Sequence, residues 1–199
     1  MTLHTTRGFS LIELLFSVAI IMVLYLIMLG PGSKYGQARR KAVCAVNLAQ
    51  MHMSLSLFAA EHDGAYPIVP GATSSEAPLS ELVPKYTTDT NIFICPGSKD
   101  AALPGAQPFA ERRISYAYYM GLRRDSPPDA PLVSDEQCDV HAKRKGDAVF
   151  SNSGKGPGNN HRGYGGNVLF VDGHVETGDA IAAHDLAIPA GVVLLNPKP

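Results

Sequence analysis

From Phe9 to Leu29 the chain is apolar except for Ser10, Glu13 and Ser17, and no other feature narrows its fold so far. At 1.5 Å rise per residue, a helix over this stretch spans about 30 Å, the thickness of a bilayer's hydrocarbon core. A transmembrane helix is therefore expected here. A cleaved secretory signal would have a shorter apolar run and a small-residue cleavage site after it; here Gly30, Pro31 and Gly32 follow. The plainest reading is an uncleaved signal anchor, and Glu13 argues against it. A carboxylate within a span costs about 2.5–3.5 kcal/mol on insertion scales and normally marks a partner. If the chain were cut between Gly8 and Phe9, the new α-ammonium would stand four residues before Glu13, about 6 Å along a helix. Amine and acid could then pair between parallel, axially staggered helices, removing two buried ions at once.

The stretch "RGFSLIELL" resembles the processing site of type IV prepilins and type II secretion pseudopilins. Both have a short basic leader ending in Gly, an aromatic first mature residue and Glu at mature position five. The resemblance implies cutting after Gly8 by a prepilin peptidase, N-methylation of Phe9, and extraction from the bacterial inner membrane into a filament of like subunits, with Glu13 as the assembly charge. It also implies a C-terminal domain in the periplasm, or at the cell surface once assembled. The charge pattern alone points the other way: Arg7 precedes the span, whereas Lys34, Arg39, Arg40 and Lys41 follow it. The cleavage signature takes precedence.

The expected organisation is a leader over 1–8, a transmembrane and assembly helix over 9–32, and one periplasmic domain over 33–199, helical over 33–62 and sheet with loops over 63–199. Gly30-Pro31-Gly32 interrupts the helix, since proline removes a hydrogen bond and glycine adds backbone entropy. Beyond it Cys44, Leu48, Met51, Leu55 and Phe58 recur at helical spacing on one stripe that should face a sheet. Arg39, Arg40 and Lys41 read as a solvated or headgroup-facing turn. With Lys+Arg 17 against Asp+Glu 18, no nucleic-acid partner is expected.

Further on, "SELVPKY" reads as a turn of helix capped by Ser80, and "NIFICP" as a strand ending at Cys95-Pro96. "RISYAYYM" reads as a half-buried strand, "PLVSDE" as another, and residues 97–108 and 151–166 as Gly/Pro/Ser/Asn-rich loops. The fold class is therefore α+β, a long N-terminal helix packed on a small antiparallel sheet with long loops, as in pilins. "GGNVLFVDGHVETG" places Asp172-Gly173 between two apolar runs and predicts a hairpin whose two central turn residues both take positive φ. With His161 upstream it resembles the signature of prepilin-type processing-associated H-x9-DG proteins, as do "CAVNL", "DGAYP", "CPGS" and "ISYAYY". Ten residues, not nine, separate His161 from Asp172, with Tyr164 as the extra one.

His161, Asp172 and His174 are candidate metal ligands, and Asp135, Asp139 and His141 could complete their shell. The alternative gives Asp172 and His174 structural work in the hairpin. A structural ion would be calcium, which some pseudopilins hold in a C-terminal loop, or zinc, which suits histidine better. Cys44 and Cys95 are either a disulfide permitted by an oxidising periplasm or buried free thiols; Cys138 reads as surface-exposed. No CxxC pair points to a zinc finger. No HExxH, GxSxG or Walker loop appears, so an enzyme is not expected. Three functions remain: a major or minor subunit of a type IV pilus or type II secretion pseudopilus, a membrane-anchored periplasmic metal- or ligand-binding module, and, less favoured, a metalloenzyme. Tyr116, Tyr118, Tyr119 and Tyr164 would supply the stacking surface of a ligand module.

Overall fold

The computed structural model describes residues 10–29, 33–100 and 108–199. Gly8, Phe9 and the Gly30–Gly32 break lie outside the described residues, as does most of the loop expected over 97–108. The chain divides into two units, the first ending at Gly36 and the second covering Gln37–Pro199.

The first unit holds α1, Leu11–Leu29. Its start is built by the sequence Ser-x-x-Glu. The Ser10 carbonyl accepts the Leu14 N–H at 3.2 Å, and the Glu13 carboxylate reaches back to accept the Ser10 N–H at 3.3 Å. That is one half of a capping box, and an acid in the first turn also suits the helix dipole. The large apolar side chains from Leu11 to Met28 are exposed on every side of α1.

The second unit is built on helix α2, Lys34–Glu61, whose buried face carries Cys44, Leu48, Met51, Leu55 and Phe58 as their spacing predicts. The helix stops where Asp63 and Gly64 turn left-handed, at φ 50° and 81°, and the Gly64 N–H closes onto the Ala59 carbonyl at 2.8 Å. α2 is itself long and apolar enough to cross a membrane, but 39% of its apolar window is buried, against 0% for α1. It is the core helix, and α1 is the span.

Strands β1 (Tyr116–Met120), β2 (Pro131–Asp135), β3 (Gly166–Phe170), β4 (Val175–Gly178) and β5 (Val193–Leu195) form one antiparallel sheet in the order β4-β3-β2-β1-β5. β1, β2 and β3 are buried along their whole length. β1 is thus covered on both sides rather than half-buried. The larger core unites the α2 stripe with Tyr116, Tyr118, Leu132, Val133 and Leu169. A second cluster joins Val168 and Phe170 to Val149, Phe150, Ala180, Ala182 and Leu186. This is the α+β arrangement of pilins, a long N-terminal helix against a small antiparallel sheet.

Three local expectations are corrected. "NIFICP" is not a strand: Thr90–Phe93 is a 3-10 turn, because the Asp89 side chain accepts the Asn91 N–H and caps it. The short helix α3 occupies Glu76–Ser80, so Ser80 ends it rather than starting it. In the β3–β4 hairpin Gly173 has φ 93°, while Asp172 does not take positive φ. Phe170 accepts the Gly173 N–H and donates to His174, each at 3.0 Å. The connection is a three-residue loop with one left-handed glycine, not a two-residue turn.

Candidate metal centre

Four elements deliver one titratable side chain each to a single buried point. Cys44 comes from the packed stripe of α2. Cys95 follows the 3-10 turn and opens a tight turn of its own, in which its carbonyl accepts the Ser98 N–H at 3.0 Å and the Ser98 hydroxyl at 2.8 Å. Asp135 ends β2 and lies opposite Tyr116 in the sheet register. His161 rides on the loop before β3. Their donor atoms all lie within 4.8 Å of one another and all four residues are buried. His161 Nε2 stands 3.4 Å from Cys95 Sγ and 3.4 Å from Asp135 Oδ2.

The surroundings fix these groups in place. Asp135 accepts the Asn160 side-chain amide at 2.9 Å on Oδ1. On Oδ2 it accepts the Asn167 backbone N–H at 2.8 Å and side-chain amide at 3.0 Å. Asn160 is itself tied to the Ser115 carbonyl at 2.7 Å, and Asn167 to the Lys41 carbonyl of α2 at 3.1 Å. Asn47 holds the approach to Cys95 by donating to the Ile94 carbonyl at 3.1 Å. The Gly97 N–H donates to Cys95 Sγ at 3.2 Å, a contact that favours a thiolate.

The Gly97 backbone also walls off the imidazole: a Cβ there would stand 2.5 Å from both His161 Nδ1 and the Asn160 carbonyl. His161 Nδ1 is buried with no hydrogen-bond partner, so packing and the Nε2 side hold the ring.

Electrostatics separate two chemistries. A Cys-His-Asp relay needs the thiol on one ring nitrogen and the carboxylate on the other. Here Cys95 and Asp135 both converge on Nε2, and one proton on that nitrogen can serve only one of them. A cation at the centre serves all. Burial alone pushes the Cys44 thiol up, but its contacts with Cys95 and His161 outweigh this and bring it down to about 7. Burial, then the Cys44 contact, push the Cys95 thiol up. Burial lowers His161, and Asp135 and Cys44 more than reverse it, to about 9. Without a metal the cluster therefore retains protons on His161 and Cys95 that an ion would displace.

Two thiolates, an imidazole and a carboxylate form a zinc-type donor set. Metal–ligand bonds of about 2.0–2.3 Å put tetrahedral ligand atoms about 3.3–3.8 Å apart, and the two His161 distances fall in that range. Calcium, which takes six to eight oxygens, gets one carboxylate from this set. Four protein ligands leave no open position, the pattern of a structural rather than catalytic site.

The sequence-based set of ligands is redrawn. His161 is in the site. Asp172 and His174 instead pair with each other at 2.6 Å, half exposed at the hairpin. Asp172 Oδ1 also accepts the His174 N–H, and the His174 ring stacks on Phe170. Among the described residues, no close group of three metal-ligating side chains includes them. A hairpin tip projects its polar side chains to solvent, whereas the loop before β3 folds His161 inward.

Asp139 and His141 likewise pair with each other on the surface, and of the residues considered for the shell only Asp135 joins it. Cys44 and Cys95 are free thiols. Tyr116, Tyr118 and Tyr119 are fully buried and offer no stacking surface. Glu13 lies in the first turn of α1. The Ser10-x-x-Glu13 spacing was a signal for its capping contact.

Residues 3–29 match the family model described as a prokaryotic N-terminal methylation motif. The chain thus carries a type IV pilin- or pseudopilin-like N-terminal processing segment, and with α1 as its span it is a single-pass membrane protein with a periplasmic domain. No curated protein and no solved structure is significantly similar to it.

Proposed function

We propose that this chain is a membrane-anchored, pilin-like protein whose periplasmic domain holds one zinc-type metal ion in a closed, structural site formed by Cys44, Cys95, Asp135 and His161. The carrying observation is the convergence of four buried donors on one point. In this reading the ion is a staple rather than a reagent, and the protein is not an enzyme. Cys44 and His161 bind as thiolate and neutral imidazole, and Asp135 is oriented by Asn160 and Asn167. The test is elemental analysis of the full chain purified in detergent without chelator. About one zinc per chain is expected, falling to background in Cys44→Ser and His161→Ala. Wild-type protein that takes up no zinc after incubation with zinc chloride overturns the reading.

A second reading is supported by the N-terminal methylation motif: the same chain is a subunit of a type IV pilus or type II secretion pseudopilus. Prepilin peptidase cuts between Gly8 and Phe9, Phe9 is N-methylated, and Glu13 neutralises the new amine of a neighbouring subunit. Glu13→Leu should insert and be processed normally yet enter filaments poorly; unchanged incorporation contradicts the pairing. Gly8→Ala should retain the leader, read directly as the mass of the N-terminal peptide.

A further inference from the structure

We propose that Cys44 and Cys95 have two mutually exclusive fates, ligands of the zinc-type ion or partners in a disulfide, and that metal uptake during folding protects them from oxidation. This rests on the metal reading above and adds its regulation. Both sulfurs are free thiols and lie within 4.8 Å of each other. A disulfide needs about 2.05 Å between them, whereas a tetrahedral ion holds two thiolates about 3.8 Å apart. A separation of at most 4.8 Å is compatible with the second state, and the first requires the two sulfurs to close to bonding distance.

The two cysteines differ in their backbone setting. Cys44 is fixed on the buried stripe of a 28-residue helix, while Cys95 opens the turn that ends at Ser98. A bridge would consume two of the four donors. His161 and Asp135 alone do not make a closed zinc-type shell, so a molecule that has formed the disulfide has lost the metal site.

The periplasm drives free dithiols toward oxidation. The step is ordinary thiol–disulfide exchange with a donor disulfide, such as that of a periplasmic thiol oxidase or oxidised glutathione. One thiolate attacks a donor sulfur, the donor S–S bond breaks, and a donor thiolate leaves. The other cysteine then attacks the protein sulfur of this mixed disulfide, forming the Cys44–Cys95 bond and expelling the second donor thiolate. Two electrons pass to the donor, and the two thiol protons end on the reduced donor or in solvent.

Position sets the timing. Cys44 is 0% and Cys95 1% exposed, so a donor reaches them only before α2 closes on the sheet. Metal or oxidant, whichever arrives during folding, fixes the outcome.

The experiment uses the full chain in detergent with Cys138→Ser, which removes the third thiol from outside the site. Reduced, denatured protein is refolded in glutathione redox buffer with or without zinc chloride. Thiols are then counted by alkylation and intact-mass spectrometry, and zinc by elemental analysis. Zinc refolding should leave both thiols alkylatable after a second denaturation, with bound zinc. Zinc-free refolding should leave neither, and that material should take up at least about tenfold less zinc until dithiothreitol reduces it. Equal disulfide formation in both arms, or a zinc-free arm that stays reduced, overturns the exclusion while the metal reading stands; full zinc uptake by the disulfide form overturns both, because the ion then binds without the two thiolates. A third arm, refolded with zinc and dithiothreitol alone, isolates the other failure: no zinc bound there overturns the metal reading, and the exclusion with it.

Discussion

Gly97 sets how closely the Cys95 turn can approach His161. A methyl group there would lie 2.5 Å from the imidazole Nδ1 and 2.5 Å from the Asn160 carbonyl, and one of those neighbours is backbone, so the turn must back away. We predict that Gly97→Ala costs about 1–3 kcal/mol by overpacking, seen as a lowered denaturant midpoint, and weakens zinc uptake more than Ser98→Ala does. The residues that orient the carboxylate give a complementary outcome. Asn160→Ala removes one of the three hydrogen bonds that Asn160 and Asn167 give Asp135, without touching any ligand. Zinc affinity, measured by competition with a chromophoric chelator, should fall about 10–100-fold. The pH dependence has a definite sign. His161, raised to about 9 by Asp135 and Cys44 against its burial, carries a proton at pH 7 that the ion must displace. Below about pH 9 affinity should therefore fall about tenfold per pH unit for the His161 proton, in addition to the dependence set by the proton that burial and Cys44 keep on Cys95. An affinity independent of pH between 6 and 8 contradicts this assignment. At this scale the sequence was only half legible. His161, Cys44 and Cys95 each stood out, and Asp135 was among the residues able to complete a shell, but they were grouped with the wrong partners. Spacing rules detect ligands that share a turn, and these four come from a helix, a turn, a strand end and a loop, which only tertiary packing brings together.

Among the elements, α2 was the most legible because its stripe repeats with the period of the helix and faces one sheet. The hairpin was placed correctly in sequence, and its turn type was not. Asp-Gly favours a two-residue turn, but the His174 backbone bonds back to Phe170 and leaves Gly173 alone in the left-handed region. The helix also reaches this loop. The His52 ring lies 3.1 Å from the Val171 carbonyl, and a Cβ on Gly173 would stand 2.7 Å from the same ring. Gly173→Ala thus meets two penalties, a positive φ of 93° and a collision with a helix side chain. We predict a loss of about 1–3 kcal/mol, checked by urea denaturation, with partial recovery in Gly173→Ala/His52→Ala, where the collision is gone and the strain remains. The 3-10 turn before Cys95 was missed because "NIFIC" has the β-branched, apolar look of a strand. A single capping carboxylate, Asp89, decides the conformation instead.

For the whole molecule, the consequence of a closed metal site is linkage between metal and fold. The ligands tie α2 to the segment before β1, to the end of β2 and to the loop before β3, so unfolding the domain must open the site. An ion that binds only the folded state stabilises it by about 2.7 kcal/mol at a free concentration one hundred times its dissociation constant. At about 2–4 °C per kcal/mol for a domain of this size, zinc should raise the melting temperature of the full chain in detergent by about 5–10 °C. A chelator such as EDTA should reverse the shift. The membrane helix provides the internal control. None of the four proposed ligands lies on α1, so helical circular dichroism from that segment should survive chelation. In Cys44→Ser the zinc shift should vanish, because Asp135, His161 and Cys95 are left as an incomplete shell around a buried hydroxyl. A variant that melts lower but still gains the full 5–10 °C from zinc would show the ion stabilising the domain from some other place, and the four-ligand centre would have to be given up.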